Sequence, residues 1–217
     1  MESQDPAAEN VERVSDSKVR SNRIWLYFKK FCLDMLPVIA GVVIGMFVNS
    51  YTEEQKNENM LENTLQALSS EFTENGHELR KKLPRHVRVI DSLTYYRDNE
   101  QFTLHDVLLK AGGLSTSKIS TTNWRAALNN YSLQLINFPT IKLLSAIENL
   151  HEEQSELDDR FTEIVYSPSF YERGERGVAY RKNVLDAMSN YKVNEEELLQ
   201  LYKDFANIVS TKKYQRN

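Results

Sequence analysis

Fourteen consecutive residues without a charge, MLPVIAGVVIGMFV at 35–48, limit the fold of this chain more than any other feature. As a helix they measure about 21 Å, short of a hydrocarbon layer of about 30 Å. Extended back across Asp34 to Phe31 and forward to Tyr51, the segment has twenty-one residues and reaches about 31 Å, enough to cross. Asp34 then lies at one rim, where its carboxylate meets headgroup water or Lys30 one turn earlier. At the bilayer centre it would cost about 2.5–3.5 kcal/mol. Trp25, Tyr27 and Phe28 before the span and Tyr51 after it suit the two interfacial aromatic belts. Pro37, lacking an N–H, fits a first helical turn and suggests a bend between an interfacial segment, 24–33, and the span proper. The expected anchor residues, in contact with membrane lipid, are Phe31, Pro37, Gly41, Gly45 and Val48.

Two other readings of this stretch are weaker. A buried helix of a soluble core accounts for apolar runs of about ten to fourteen residues, but not for the aromatic and basic flanks. A cleaved signal peptide would not follow a polar stretch of thirty residues and would end in a small-residue cleavage site, which is missing. An uncleaved signal anchor fits. Arg13, Lys18, Arg20, Arg23, Lys29 and Lys30 precede the span, whereas Lys56 is the one cation in the eighteen residues after Tyr51. The positive-inside rule then places the N-terminus in the cytoplasm and the rest of the chain across the membrane. Gly41 and Gly45, a Gly-x-x-x-Gly pair with Ala40 alongside, leave a groove where a second helix can approach, a candidate dimerisation face.

Beyond the span, Leu61, Leu65, Leu68, Phe72 and Leu79 follow helical spacing. With no proline before Pro84, span and segment are expected to form one helix, a stalk rising from the bilayer. A second helix is expected at 84–96 around Val87, Ile90 and Leu93. A short one follows, started by the Thr103/Asp106 capping box and stopped by Gly112-Gly113. Trp124, Ala127, Leu128 and Leu135 mark another. Pro139 opens a long helix with stripe Leu143, Ile147, Leu150, Leu157, Phe161 and Ile164, broken by Pro168, Gly174 and Gly177. A helix around Val178, Leu185 and Met188 precedes a last one, capped at Asn194, with Glu195–Glu197 in its first turn and Leu198, Leu201, Phe205 and Ile208 behind. No segment alternates long enough for a strand. The expected fold is all-α: a disordered cytoplasmic tail at 1–23, an interfacial segment and transmembrane helix at 24–51, and an irregular extracytoplasmic helical bundle at 52–217.

A net charge of −4 and the lack of a basic stripe interleaved with aromatics argue against nucleic acid as a partner. The single cysteine, Cys32, excludes an internal disulfide, and at a membrane rim without a base it is a poor nucleophile. Two Glu-x-x-His pairs, Glu74/His77 and Glu148/His151, resemble halves of a di-iron bundle site, which needs both pairs aimed inward. At 100° per residue, Glu74 and His77 fall about 220° and 160° from Leu61, outside the stripe. Glu148 and His151 fall about 140° and 80° from Leu143. No metal or cofactor is expected. His86 and His105 lack a ligand pattern and are expected at the surface or at caps. ERGERG is expected as a solvated loop, and Trp124-Arg125 as a core tryptophan beside a surface arginine, with a stacking or anion site as the alternative. No nucleophile elbow, Walker loop or dinucleotide fingerprint is present.

VIAGVVIGMFVNSYTEEQK, an apolar span with Asn just past it and a charged helix next, and TTNWRAALNNYSLQLIN ahead of a long helix resemble a family of small single-span bacterial inner-membrane proteins (Bacteroidota or proteobacterial type). The likeness covers residues 28–165 and implies a helical extracytoplasmic domain of unknown function, that is, topology without activity. The long N-terminal tail and Pro37 depart from the pattern. The resulting expectation is a non-enzymatic tether or scaffold that binds a protein partner or a second copy of itself at the membrane. The alternative is a small-molecule-sensing bundle that signals through a separate partner, and an enzyme ranks third.

Overall fold

In the computed structural model the backbone is described for residues 6–129 and 131–212, and the side chains for 29–129 and 133–212. Five α-helices follow one another: α1 (Pro6–Tyr95), α2 (Leu104–Ala111), α3 (Thr122–Leu128), α4 (Phe138–Tyr166) and α5 (Gly174–Ser210), with 3₁₀ turns at Tyr131–Leu135 and Pro168–Tyr171. Among the described residues there is no β-strand, so the expected all-α class holds. The chain divides into two units, Met1–Asn57 and Glu58–Asn217.

The first unit is helical from Pro6, although residues 1–23 are expected to be disordered. AAENVER supplies good helix formers after a proline suited to a first turn, and no glycine interrupts before Gly41. Helix α1 also runs unbroken through Pro37, where a bend was expected to separate two segments. Pro37 forfeits one hydrogen bond, to the carbonyl of Leu33. That residue lies beside exposed Lys29, Lys30 and Asp34, so water can take the carbonyl. From residue 29 to 57 every side chain is exposed, including Phe31 at 58%, Phe47 at 74% and Val48 at 60%. Each large apolar group left in water forgoes about 1.5–3 kcal/mol, and a helix apolar all round needs lipid or other helices around it. Among the described residues this is the one helix long and apolar enough to cross a membrane. Just past it, Thr52 Oγ1 donates to the Val48 carbonyl (2.7 Å) and Asn49 Nδ2 to Glu53 Oε1 (3.2 Å), where the chain turns polar.

In the second unit the later part of α1 packs with α4 and α5. Leu61, Leu65, Leu68, Phe72 and Leu79 are buried, as their spacing predicts, together with Trp124, Ile136, Leu144, Ile147, Leu198 and Phe205. Phe72 stacks on Tyr202 at 5.0 Å and meets Phe205 edge-on at 5.1 Å. A second cluster gathers Val89, Leu93, α2, Phe161, Met188 and Tyr191. Pro84 does not start a new helix. It is exposed, so its missing N–H leaves the Arg80 carbonyl to solvent, and α1 continues to Tyr95. The buried residues beyond it are His86, Val89 and Leu93, with Val87 and Ile90 half-buried.

Helix α2 has the expected capping box: Asp106 N–H donates to Thr103 Oγ1 and Thr103 N–H to Asp106 Oδ2, both at 3.0 Å. It ends in left-handed Gly112 (φ 92°), with Gly113 N–H on the Leu108 carbonyl at 2.7 Å. Asn137 caps α4 through Thr140 N–H (3.1 Å). Leu128 and Leu135, expected in the core, are exposed, and Ile136 takes the buried place.

The two helices expected after residue 177 are one. Nothing between Val178 and Ser210 breaks α5, and the three glutamates read as a first turn lie at its middle, Glu195 buried and Glu196 and Glu197 exposed. Only Glu172 and Arg173 of ERGERG lie outside a helix, so it is a loop in its first third alone. Gly174 begins α5, and Gly177 is a buried position within it, where a Cβ would stand 2.4 Å from the Glu172 carbonyl oxygen.

Candidate functional site

Residues 114–121 cross the second unit without regular structure, and polar side chains from the bundle hold them at both ends. At one end, Ser120 N–H donates to Asn75 Oδ1 and Asn75 Nδ2 to the Ser120 carbonyl, both at 2.8 Å. Glu71, 5% exposed, accepts from Ser120 Oγ (2.7 Å), Asn123 N–H (3.2 Å) and Trp124 N–H (3.0 Å). It therefore caps α3 from another helix, since the Thr121 side chain makes no cap bond.

At the other end, His86, Glu195 and Ser117 are fully enclosed. His86 Nε2 lies 2.7 Å from the Ser115 carbonyl and Nδ1 lies 2.7 Å from Glu195 Oε2. A carbonyl only accepts, so Nε2 carries a proton, and a further proton lies between Nδ1 and the carboxyl. Ser117 Oγ donates to Glu195 Oε1 (2.5 Å), and Ser117 N–H to the Tyr191 hydroxyl (2.8 Å). The surface or capping role expected for His86 is thus corrected: α5 brings Glu195 to it across 109 residues of sequence. Ser117 bonds to the carboxyl and not to the imidazole, so these groups form no nucleophile and base pair. They are a strut for the crossing segment.

Between that segment with α3 on one side and α4 on the other lies a groove of about 620 Å³. Ile119, Trp124 and Leu128 give it an apolar wall, and Lys118, Arg125, Glu148 and Glu152 line it as well. His151, Gln154 and Asp158 line it from α4. His151 is 8% exposed and Gln154 1%, yet His151 Nδ1, both ends of the Gln154 amide and Asp158 Oδ1 have no protein partner. Polar groups buried unpaired cost about 1–3 kcal/mol each, so this stretch of α4 is not explained by packing.

Burial holds His151 down at a pKa of about 4, despite the Glu71 charge, so the ring is neutral near pH 7. Its Nε2 lies 2.5 Å from the Tyr202 hydroxyl. Burial pushes that phenol well above its ordinary range, while the Asn75 amide acts on its oxygen as a donor. The phenol proton therefore points to Nε2 and the ring proton sits on Nδ1. Burial raises Asp158 to about 6, against the opposing pull of the Tyr191 hydroxyl.

Of the sequence candidates, Glu74 and His77 are exposed on α1, as their angles predict, and Glu148 and His151 line the groove. His151 is buried, not on the flank. Among the described residues no three His, Cys, Asp or Glu side chains are placed to hold a metal ion. Trp124 is buried and Arg125 exposed, and both border the groove. His105 stands half-exposed beside Phe170 and Tyr171, its Nδ1 3.8 Å from Asp106. Cys32 is a free, exposed thiol. Around Gly41 and Gly45 an added Cβ would meet nothing within 4 Å. Lys29 and Lys30 are exposed, whereas the side chains of Arg13, Lys18, Arg20, Arg23, Trp25, Tyr27 and Phe28 lie outside the described residues.

Sequence reasoning passed over Gln154, Asp158, Glu71 and Asn75, and read Glu195 as an exposed first-turn acid. A signal was present: His151, Gln154 and Asp158 continue at helical spacing the stripe of Leu144 and Ile147, where an apolar residue belongs. Comparison with known protein families, curated proteins and solved structures returns no match to this chain.

Proposed function

We propose that this is a membrane-anchored, non-enzymatic binding protein. Its apolar helix crosses a bacterial inner membrane with the N-terminus cytoplasmic, and its helical unit, residues 58–217, works in the periplasm by holding a small ligand between α4 and the crossing segment. The observation that carries the binding role is the groove of about 620 Å³ along α4, whose lining residues His151, Gln154 and Asp158 keep side-chain atoms without a protein partner. The anchor rests on the wholly exposed apolar helix and the orientation on the basic residues ahead of it. Ligand occupancy would reach the cell through a separate partner protein.

The test uses the lone cysteine. In a Cys32→Ser background, cysteine placed at exposed Val193 should react with a membrane-impermeant maleimide in spheroplasts, and the chain should resist alkaline carbonate extraction. Labelling only after lysis, or release by carbonate, refutes the placement.

A second reading, a tether that binds a protein partner or a second copy, is favoured by the open face around Gly41 and Gly45. Confinement to the membrane plane would raise the effective concentration of anything held there. Cross-linking in native membranes should trap a homodimer that Gly41→Ile weakens. A chain that stays monomeric in membranes at every cross-linker dose refutes self-association.

A further inference from the structure

We propose that the start of α4 docks on lipid: Leu135, Phe138 and Ile141 rest on the outer surface of the bilayer that the anchor crosses. This depends on the anchor reading above and gives the helical unit a membrane contact of its own.

Phe138 is 76% exposed, the only exposed phenylalanine among the described residues 58–212, with Leu135 at 38% and Ile141 at 37%. Phe138 and Ile141 stand one turn apart on one face of α4. Because Cα–Cβ bonds tilt toward a helix's N-terminus, both lean past the start of α4, toward one end of the unit. Contacts fix which end. Helix α5 is antiparallel to α1, with Glu195 on His86 and Lys212 on Glu62, and α4 is antiparallel to α5, with His151 on Tyr202 and Phe161 against Tyr191. Helix α4 is therefore parallel to α1. Phe72 packs against His151, 6.1 Å between ring centres. Phe138 lies thirteen residues before His151, as Asn59 does before Phe72, so Phe138 stands level with Asn59, where α1 enters the unit.

Tyr51, the expected outer rim of the span, is eight residues before Asn59. Those residues reach about 12 Å as a helix and no more than about 29 Å in any conformation, so this end of the unit is held close to the head groups. A protein partner is the poorer occupant, because three side chains fall far short of the roughly 800 Å² that each side of a stable protein interface buries. A surface to which the chain is already tethered needs little area, since the anchor supplies the effective concentration.

Charge and main chain agree with that occupant. No Asp or Glu occurs between Asp106 and Glu148, in a chain with 31 acidic residues, so no carboxylate of this corner opposes the phosphates. Of the acids nearest Asn59 on α1, Glu58 and Glu62, the second is paired with Lys212 (3.1 Å). Exposed Lys142 follows Ile141 and can lay its stem along the apolar surface with its ammonium at a phosphate. Main-chain donors at 139–141 make no demand on water: Pro139 has no N–H, Thr140 N–H is on Asn137 Oδ1 and Ile141 N–H on the Asn137 carbonyl, both at 3.1 Å.

The experiment puts the full chain, Cys32→Ser with Gln134→Cys carrying bimane, into vesicles of phosphatidylcholine and phosphatidylglycerol that include a phosphatidylcholine with a nitroxide on its head group. Gln134 is exposed beside Leu135. A second chain labelled at exposed Val193, two residues from Glu195 and so near the level of His86, is the distant control. The label at 134 should be quenched well beyond the label at 193. Phe138→Asp with Ile141→Asp should lower that quenching at least about twofold, with the helical signal in circular dichroism and flotation with the vesicles unchanged. If the chain floats but the two labels are quenched alike, or the aspartate pair changes nothing, the docking corner is overturned and the anchor stands. If energy transfer between differently labelled copies replaces lipid quenching at residue 134, the corner is a self-association face and the lipid assignment falls. A chain left behind when the vesicles float overturns the anchor reading and the docking with it.

Discussion

Replacing Glu195 with alanine tests how the site is held. The carboxyl is fully buried and accepts from Ser117 Oγ at 2.5 Å while sharing a proton with His86 Nδ1 at 2.7 Å. Removing it orphans a hydroxyl and an imidazole nitrogen where water does not reach. Breaking a buried hydrogen-bonded charge pair from one side costs about 3–5 kcal/mol. For a unit of this size each kcal/mol lowers the thermal midpoint by about 2–4 °C, so Glu195→Ala should melt about 6–20 °C below the parent. The assay is thermal and urea unfolding of the full chain in micelles, followed by circular dichroism at 222 nm and Trp124 emission. The control also removes the imidazole: His86→Leu with Glu195→Leu should recover part of the loss, because no imidazole is then stranded, while the Ser117 hydroxyl and the Ser115 carbonyl still lose their partners. A Glu195→Ala chain as stable as the parent would refute the strut.

Other consequences are independent of that pair. Glu71→Ala should cost about 1–3 kcal/mol and selectively speed hydrogen exchange at the Asn123 and Trp124 amides, which it accepts from; uniform exchange would contradict the cap. Gly177→Ala drives a methyl to 2.4 Å from the Glu172 carbonyl oxygen and should destabilise by about 1–3 kcal/mol, read as a lower urea midpoint. His151 and Asp158 give opposite pH slopes in one window. With His151 held near 4 in the fold against about 6.5 unfolded, the unfolded chain binds more protons between those values, and stability rises with pH. With Asp158 raised to about 6 against about 3.9 unfolded, the folded chain binds more, and stability falls as pH rises. Asp158→Asn should therefore steepen the rise of stability from pH about 4 to 6.5, and His151→Asn should reverse it; unchanged profiles in both would dismiss the assigned burial.

The helical class and the long apolar helix were legible because their signals are local. Fourteen uncharged residues, the Thr103/Asp106 box and the Leu61–Leu79 stripe each depend on neighbours within a turn or two. Boundaries failed where tertiary structure overrode a local rule. Pro84 sits on the solvent side of α1, where its lost hydrogen bond costs little, and Asn194 looked like a cap only because the inward task of Glu195 was hidden. The groove was the least legible part. His151 was weighed as half of a metal motif with Glu148, whereas its partner is Tyr202, 51 residues away, and no spacing rule encodes such a meeting. Polar residues breaking an apolar stripe were the trace it left.

The most direct measurement is a C-terminal dual reporter, alkaline phosphatase joined to a fluorescent protein that matures only in the cytoplasm. If the Phe31–Tyr51 helix crosses the membrane with its basic end inside, phosphatase should be active and the fluorescent protein dark. A bright fluorescent protein with silent phosphatase would place the binding unit in the cytoplasm and contradict the account.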